Sequence, residues 1–131
     1  MDMPIYKKLT YIYKSEMTSF HMPGHKYGRI YEKLGYDKYM NKLYKLDTTE
    51  IPGTDNLHNA KGIIKISQDN TKRILFADME PEDRDGLDLV YLVNGSTSGI
   101  EAAIMTACKS GSSIIMNRGC HQSAYNACIL A

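Results

Sequence analysis

The segment DLVYLVNGSTSGIEAAIMTAC, residues 88–108, limits the possible folds more than any other part of the chain. An apolar run, Leu87 to Val93, meets a cluster of small residues: Gly95, Ser96, Thr97, Ser98 and Gly99. From Thr97 to Lys109, Ile100, Ala103, Ile104, Ala107 and Cys108 recur at the spacing of one helix face. That order predicts a buried strand, a tight turn and a helix. Gly111 suits a helix stop, Ser112 to Met116 reads as a second short strand, and His121 to Leu130 begins another helix. Strand, helix, strand, helix with short connections predicts an α/β fold built on a parallel sheet with right-handed crossovers.

In such a unit the loop after a strand lies at its carboxyl end, where ligands bind. The first turn of the next helix presents unpaired N–H groups and the positive end of the helix dipole. A small dianion fits that geometry. Gly95 and Gly99 leave room for backbone to approach it, and Ser96, Thr97 and Ser98 offer hydroxyl donors. The other role open to Ser96 or Thr97 is a plain N-cap. Neither GxxxxGK[ST] nor GxGxxG occurs, which excludes a nucleotide P-loop and a dinucleotide fingerprint.

Upstream, Pro4 suits a first helical turn, and Ile5, Leu9 and Ile12 share one face, so a helix is expected over residues 4–16. SFHMPGHKYG, residues 19–28, is a loop, and the tyrosine- and lysine-rich residues 29–46 are ambiguous, part helical. LDTTEIPGTDNLHNAKG, residues 46–62, is an ordered loop long enough to suggest function. A helix is expected over residues 61–76, followed by an exposed turn in the acidic MEPEDRDG.

The 131 residues, 43% hydrophobic and 24% charged, have the length and composition of one globular domain. A net charge of +1 gives no reason to expect a nucleic-acid or membrane partner, and no run reaches the roughly 18 apolar residues of a membrane helix. Residues 1–46 carry nine Lys/Arg against four Asp/Glu, and residues 47–101 carry five against eleven. The basic segment therefore either lies against an acidic surface or is simply solvated. Three cysteines without a CxxC pair, and no signal-peptide core, make a reducing cytoplasmic setting the default.

Four stretches, FHMPGHK (20–26), DTTEIPGTDNLHNAKGII (47–64), LVNGSTSGIEAAIM (92–105) and NRGCHQS (117–123), occur in the order and approximate spacing of one family. They resemble the amino-terminal part of the major domain of the ornithine/lysine/arginine decarboxylases, pyridoxal-phosphate (PLP) enzymes of the aspartate-aminotransferase fold. The resemblance runs from about Met17 to Ala131. It implies an incomplete fold-type-I major domain with a parallel βαβ core and an amino-terminal helix. Residues 1–18 would be the helical segment and 19–131 a partial PLP-binding domain.

The resemblance implies that Ser96 and Thr97, with Gly95 and Ser98 in the same turn, hold the cofactor phosphate. It also implies that His121 stacks on the pyridine ring, fixing its tilt. The activity implied is loss of the α-carboxylate of a basic amino acid as carbon dioxide, leaving agmatine or a diamine for polyamine biosynthesis. The whole enzyme is expected to be a cytoplasmic homo-oligomer. Gly119 and Gln122 depart from the family's usual Asn and Lys, and Gln122 cannot supply a positive charge. The Schiff-base lysine and the carboxylate that pairs with the pyridinium lie downstream in the family. The 131 residues are therefore expected to be inactive alone and to leave a sheet edge and an apolar face unpaired. Two other expectations stand beside this one: a non-catalytic fragment that docks onto a full-length decarboxylase, or an unrelated phosphate-ester-binding α/β domain.

Lys26 follows a histidine as the Schiff-base lysine does, but it stands in an early loop and is expected to be solvated or paired with a carboxylate. His21 and His25 mimic a metal-binding pair; Pro23 and Gly24 break the helix that would align them, and no metal site is expected. Cys120 beside His121 is read as a structural thiol rather than a dyad, and Cys108 as core. Asp47, Thr49, Glu50, Asp55 and His58 either shape an active-site mouth or subunit interface, or serve as turn caps.

Overall fold

A computed structural model of the chain describes residues 2–131, the side chains of positions 37, 39, 40 and 41 excepted. It divides into two compact units, Met1–Leu89 and Val90–Ala131.

In the first unit Pro4 opens helix α1, Pro4–Lys14, where its missing N–H costs no hydrogen bond. Ile12 is its buried residue, 3% exposed, and α1 packs against α4, Ile63–Leu75. The ambiguous residues 29–46 form two short helices, α2 (Arg29–Lys33) and α3 (Asp37–Tyr44). The acidic stretch expected to be a turn contains a one-turn helix, α5 (Pro81–Asp85), again opened by proline. Lys72 of α4 is 8% exposed and donates from Nζ to the Leu87 carbonyl at 3.0 Å, holding the chain beyond α5 against α4.

The start of α4 has no side-chain cap from its own N-cap residue, Gly62. The cap comes from further upstream. The Asp55 carboxylate accepts backbone N–H groups of Asn56 (2.9 Å), Lys61 (2.9 Å), Gly62 (2.7 Å) and Ile64 (3.0 Å). These donors, Lys61 foremost, hold the carboxyl well below the usual carboxylate range, against an opposing push from burial. A lowered folded-state pKa means that the ionised form stabilises the fold. Its contribution is complete above the ordinary value of 3.8 and is lost as pH falls below it. Asp55→Asn, which tolerates the backbone φ of +73°, is expected to melt lower than the parent at pH 7. The two melting temperatures should approach each other in scans taken progressively below pH 4; a constant gap would refute this role.

In the second unit α6, Gly95–Ala107, packs against α7, Gln122–Leu130. Ala127 is fully buried and Ser123 nearly so, small side chains that let the helices approach. A cavity of about 210 Å³ is lined by Ile104 and Cys108 from the carboxyl end of α6 and by Cys128 and Ile129 from that of α7. The pair therefore runs in the parallel sense.

The expected α/β class and its parallel βαβ core are not observed. The chain is half helical, with no strand or sheet among the described residues. Leu87–Val93 and Ser112–Met116 are open chain, and Val90, Leu92, Val93, Ile114 and Ile115 are exposed rather than buried. Apolar runs between turn residues carry the preference for a strand, but a strand exists only through its ladder. Two short segments around one helix fall below the three or more strands that make a sheet stable. Ile115, Ile129, Leu130 and Tyr11 are exposed, and the sheet edge expected to be unpaired is not present, because no strand forms among the described residues.

Candidate functional site

Helix α6 begins two residues earlier than its pattern suggests, so Gly95, Ser96, Thr97 and Ser98 all belong to its first turn. Gly95 has φ +73°, a left-handed value that favours glycine. Asn94, the N-cap residue, makes no side-chain cap. Ser98 donates its hydroxyl to the Gly95 carbonyl at 2.8 Å, but the hydroxyls of Ser96 and Thr97 have no partner among the described residues and are exposed. Neither is therefore an N-cap. The turn presents N–H groups, the positive end of a 13-residue helix and two uncommitted hydroxyls. Gly99 has a different use: a Cβ there would lie 2.5 Å from Leu92 Cδ1, so its missing side chain makes room for Leu92.

His121 stands at the N-cap of α7, where its Nδ1 accepts the Ser123 N–H at 3.2 Å and faces the Ser123 hydroxyl at 2.9 Å. The ring is thus fixed through one nitrogen, and the sequence pattern did not foresee this capping role. Because α6 and α7 run in the same sense, the His121 cap and the Gly95–Ser98 turn both stand at amino ends of the pair. Gly119 donates its N–H to Asn117 Oδ1 at 2.7 Å, and Gln122 reaches along α7 to Asn126 at 3.1 Å. Tyr125 donates its hydroxyl to the Arg118 carbonyl at 3.0 Å, and the neighbouring Cys120 thiol pushes the phenol above its ordinary pKa. Cys108 is half-buried at the end of α6.

In the first unit the histidines bond separately. His21 donates from Nδ1 to the Met22 carbonyl, and its Nε2 lies 3.4 Å from the Tyr27 hydroxyl. His25 accepts the Gly28 N–H at Nδ1, 3.0 Å, which leaves Nε2 to donate to Asp47 at 3.1 Å. Its ring packs 5.1 Å from Tyr44, itself stacked on Tyr31 at 4.6 Å. A further bond, Thr49 N–H to the Met22 carbonyl at 3.1 Å, joins the same two loops. The His25–Asp47 hydrogen bond joins the basic first 46 residues to the acidic stretch after them. Lys26 is half-buried and donates from Nζ to the His21 carbonyl at 3.4 Å. Asn56 caps the short 3₁₀ turn Leu57–Asn59 and donates to Glu50 at 2.8 Å, while His58 is exposed. Asp55 and Asn56 are caps, and Asp47 is an anchor for His25.

The family model described as Orn/Lys/Arg decarboxylase, major domain, matches residues 3–131. The chain belongs to this decarboxylase family. It is 33% identical to the uncharacterized protein YaaO of Bacillus subtilis (strain 168) over 130 residues, 97% of this chain and 24% of that protein. It is 28% identical to an arginine decarboxylase of the same strain, covering 99% of this chain and 25% of the relative. With an arginine decarboxylase of Bacillus cereus the identity is 26%, over 99% of this chain and 26% of the relative. The chain thus spans about a quarter of the length of the curated relatives it matches. No solved structure matches it. The two loops joined by His25 and Asp47 lie within the residues that match the family. No helix among the described residues is long and apolar enough to cross a membrane.

Proposed function

We propose that residues 19–131 are the cofactor-anchoring portion of a PLP-dependent decarboxylase of a basic amino acid. The relatives named arginine decarboxylase support arginine as the substrate of the whole protein. The observation that carries the reading is the uncapped first turn of α6 with two uncommitted hydroxyls. A phosphate ester suits that turn in charge and in donor chemistry: free N–H groups, hydroxyls and a positive helix end all complement a dianion.

PLP, when bound, supplies the electron sink into which the bond to the departing carboxylate can break. The residues of this chain do the holding. Ser96 and Thr97 donate to phosphate oxygens together with the backbone of the turn, and Gly95 lets that backbone bend. His121, oriented through Ser123, presents its flat ring to the pyridine. Three free cysteines agree with a reducing, cytoplasmic setting. The exposed apolar side chains agree with a protein whose remaining chain or second subunit covers them.

Titrating the chain with PLP while following its absorbance and the tyrosine fluorescence tests the reading. Saturable binding is expected, tighter than that of inorganic phosphate. Equal affinity for both would favour a general phosphate-ester site, and no binding would remove the anchor. His121→Asn keeps an N-cap but loses the imidazole. It should therefore leave α7 helicity intact and weaken PLP binding about three- to tenfold, the size of one ring contact. His121→Ala should lose helicity as well. Equal PLP affinity in the parent and both variants would show that the ring has no part in the site.

A further inference from the structure

Asparagine occurs seven times in the chain, and only Asn94 is followed by glycine. A backbone nitrogen can attack the side-chain amide of the residue before it, and glycine, without a Cβ, leaves the path to its nitrogen open. The fold adds to this. Asn94 is exposed and makes no side-chain cap, so its amide has no partner among the described residues. The Gly95 N–H, at the first position of α6, has no acceptor among them either. A Cβ at Gly95 would meet nothing within 4 Å, so that side of the turn is open. The positive end of the α6 dipole also favours the negative charge that develops on this nitrogen as its proton leaves.

Other asparagines are held. Asn56 accepts the His58 and Asn59 N–H groups and donates to Glu50, Asn117 accepts the Gly119 N–H, and Asn126 accepts from Gln122. Leucine follows Asn56, arginine follows Asn117 and alanine follows Asn126, each with a side chain beside the nitrogen that would attack.

We propose that Asn94 is the site at which this chain deamidates, with water as the co-reactant. The Gly95 nitrogen gives up its proton and bonds to Asn94 Cγ. The Cγ–Nδ2 bond breaks, ammonia leaves with that proton, and a five-membered succinimide closes. Water then adds to either ring carbonyl: breaking the new bond to Cγ leaves aspartate, and breaking the original peptide bond to Gly95 leaves isoaspartate. One water is consumed and one ammonia released, with nothing oxidised or reduced. At the Asn94 ψ of 26° the Gly95 nitrogen lies across the Cα–C bond from the side chain, so the ring closes only after the turn opens.

Both products put a carboxylate at the amino end of α6. That charge repels a phosphate dianion, and a bound phosphate keeps the turn closed. This consequence rests on the cofactor reading of the turn; the deamidation itself does not.

The test keeps the full chain in mildly alkaline buffer at body temperature, with and without PLP, and follows its peptides by mass and by isoaspartyl methyltransferase labelling. Conversion is expected at Asn94 ahead of the other six asparagines. With PLP at about ten times its Kd it should slow about tenfold, since only the unoccupied turn opens. Asn94→Asp should bind PLP about tenfold more weakly than the parent with α6 helicity kept or increased, because aspartate is a good N-cap. Earlier conversion at another asparagine, or an Asn94 that survives in the folded chain while converting in urea, would overturn the proposal. Equal rates with and without PLP, or an aspartate variant with the parent's affinity, would leave the modification standing and remove the phosphate from this turn.

Discussion

Replacing Ser96 and Thr97 together by alanine should weaken PLP binding roughly a hundredfold while leaving the fold intact. Each hydroxyl is proposed to donate to a phosphate dianion, and a hydrogen bond to a charged group contributes about 1.5–3 kcal/mol. The turn is exposed, so the lower figure applies to each, and about 3 kcal/mol corresponds to a factor of about 150 in Kd. The fold should not suffer, because neither hydroxyl has a partner among the described residues and alanine is the better helix former. Circular dichroism should therefore show equal or greater helicity beside the lost affinity. A double variant that still binds PLP within a factor of three would remove these hydroxyls from the site. A variant that loses helicity would show that they support the helix instead.

The second large effect is structural, at Gly28. This glycine has φ +83°, and a Cβ there would lie 2.8 Å from Tyr44 Cβ. The left-handed conformation alone costs a side-chain-bearing residue about 1–2 kcal/mol. The near atom of Tyr44 is the one fixed to its backbone, so rotating the ring cannot relieve the contact; α3 itself must shift. Gly28 also donates its N–H to His25 Nδ1, so a shift loosens the His25–Asp47 bond between the loops. Gly28→Ala should destabilise the first unit by about 2–3 kcal/mol, lowering its melting temperature by on the order of 10 °C. Near-ultraviolet dichroism of the Tyr31–Tyr44 stack should be reduced even below the transition. A melting temperature within a degree or two of the parent would show that the loop absorbs the extra carbon.

Helices with a clear apolar stripe and a local start signal could be read from the residues alone. Pro4 with Ile5, Leu9 and Ile12 marked α1, and the gap-free run around Ile63, Ile66 and Ile74 marked α4. The loop of residues 46–62 was legible as ordered, but not what orders it. Asp55 caps a helix that begins eight residues later, and Asp47 reaches back to His25, 22 residues earlier. No window of neighbouring residues contains such a pairing. At the candidate site, the cluster Gly95–Ser98 announced a helix start, whereas the freedom of the Ser96 and Thr97 hydroxyls and the cap made by His121 appear only when every acceptor is accounted for.

The order of residues by itself determined helices α1, α4, α6 and α7 and, through four motifs, the family, because each depends on chemistry within one short stretch. Tertiary structure alone decided the fate of Leu87–Val93 and Ser112–Met116. An apolar run can prefer extension, but whether it becomes a strand depends on a neighbour offering hydrogen bonds along its edge, and no ladder forms among the described residues. It also decided which charges meet and which stay apart. The distance from His25 to Asp47 follows from the path of the backbone rather than from the identity of any one residue.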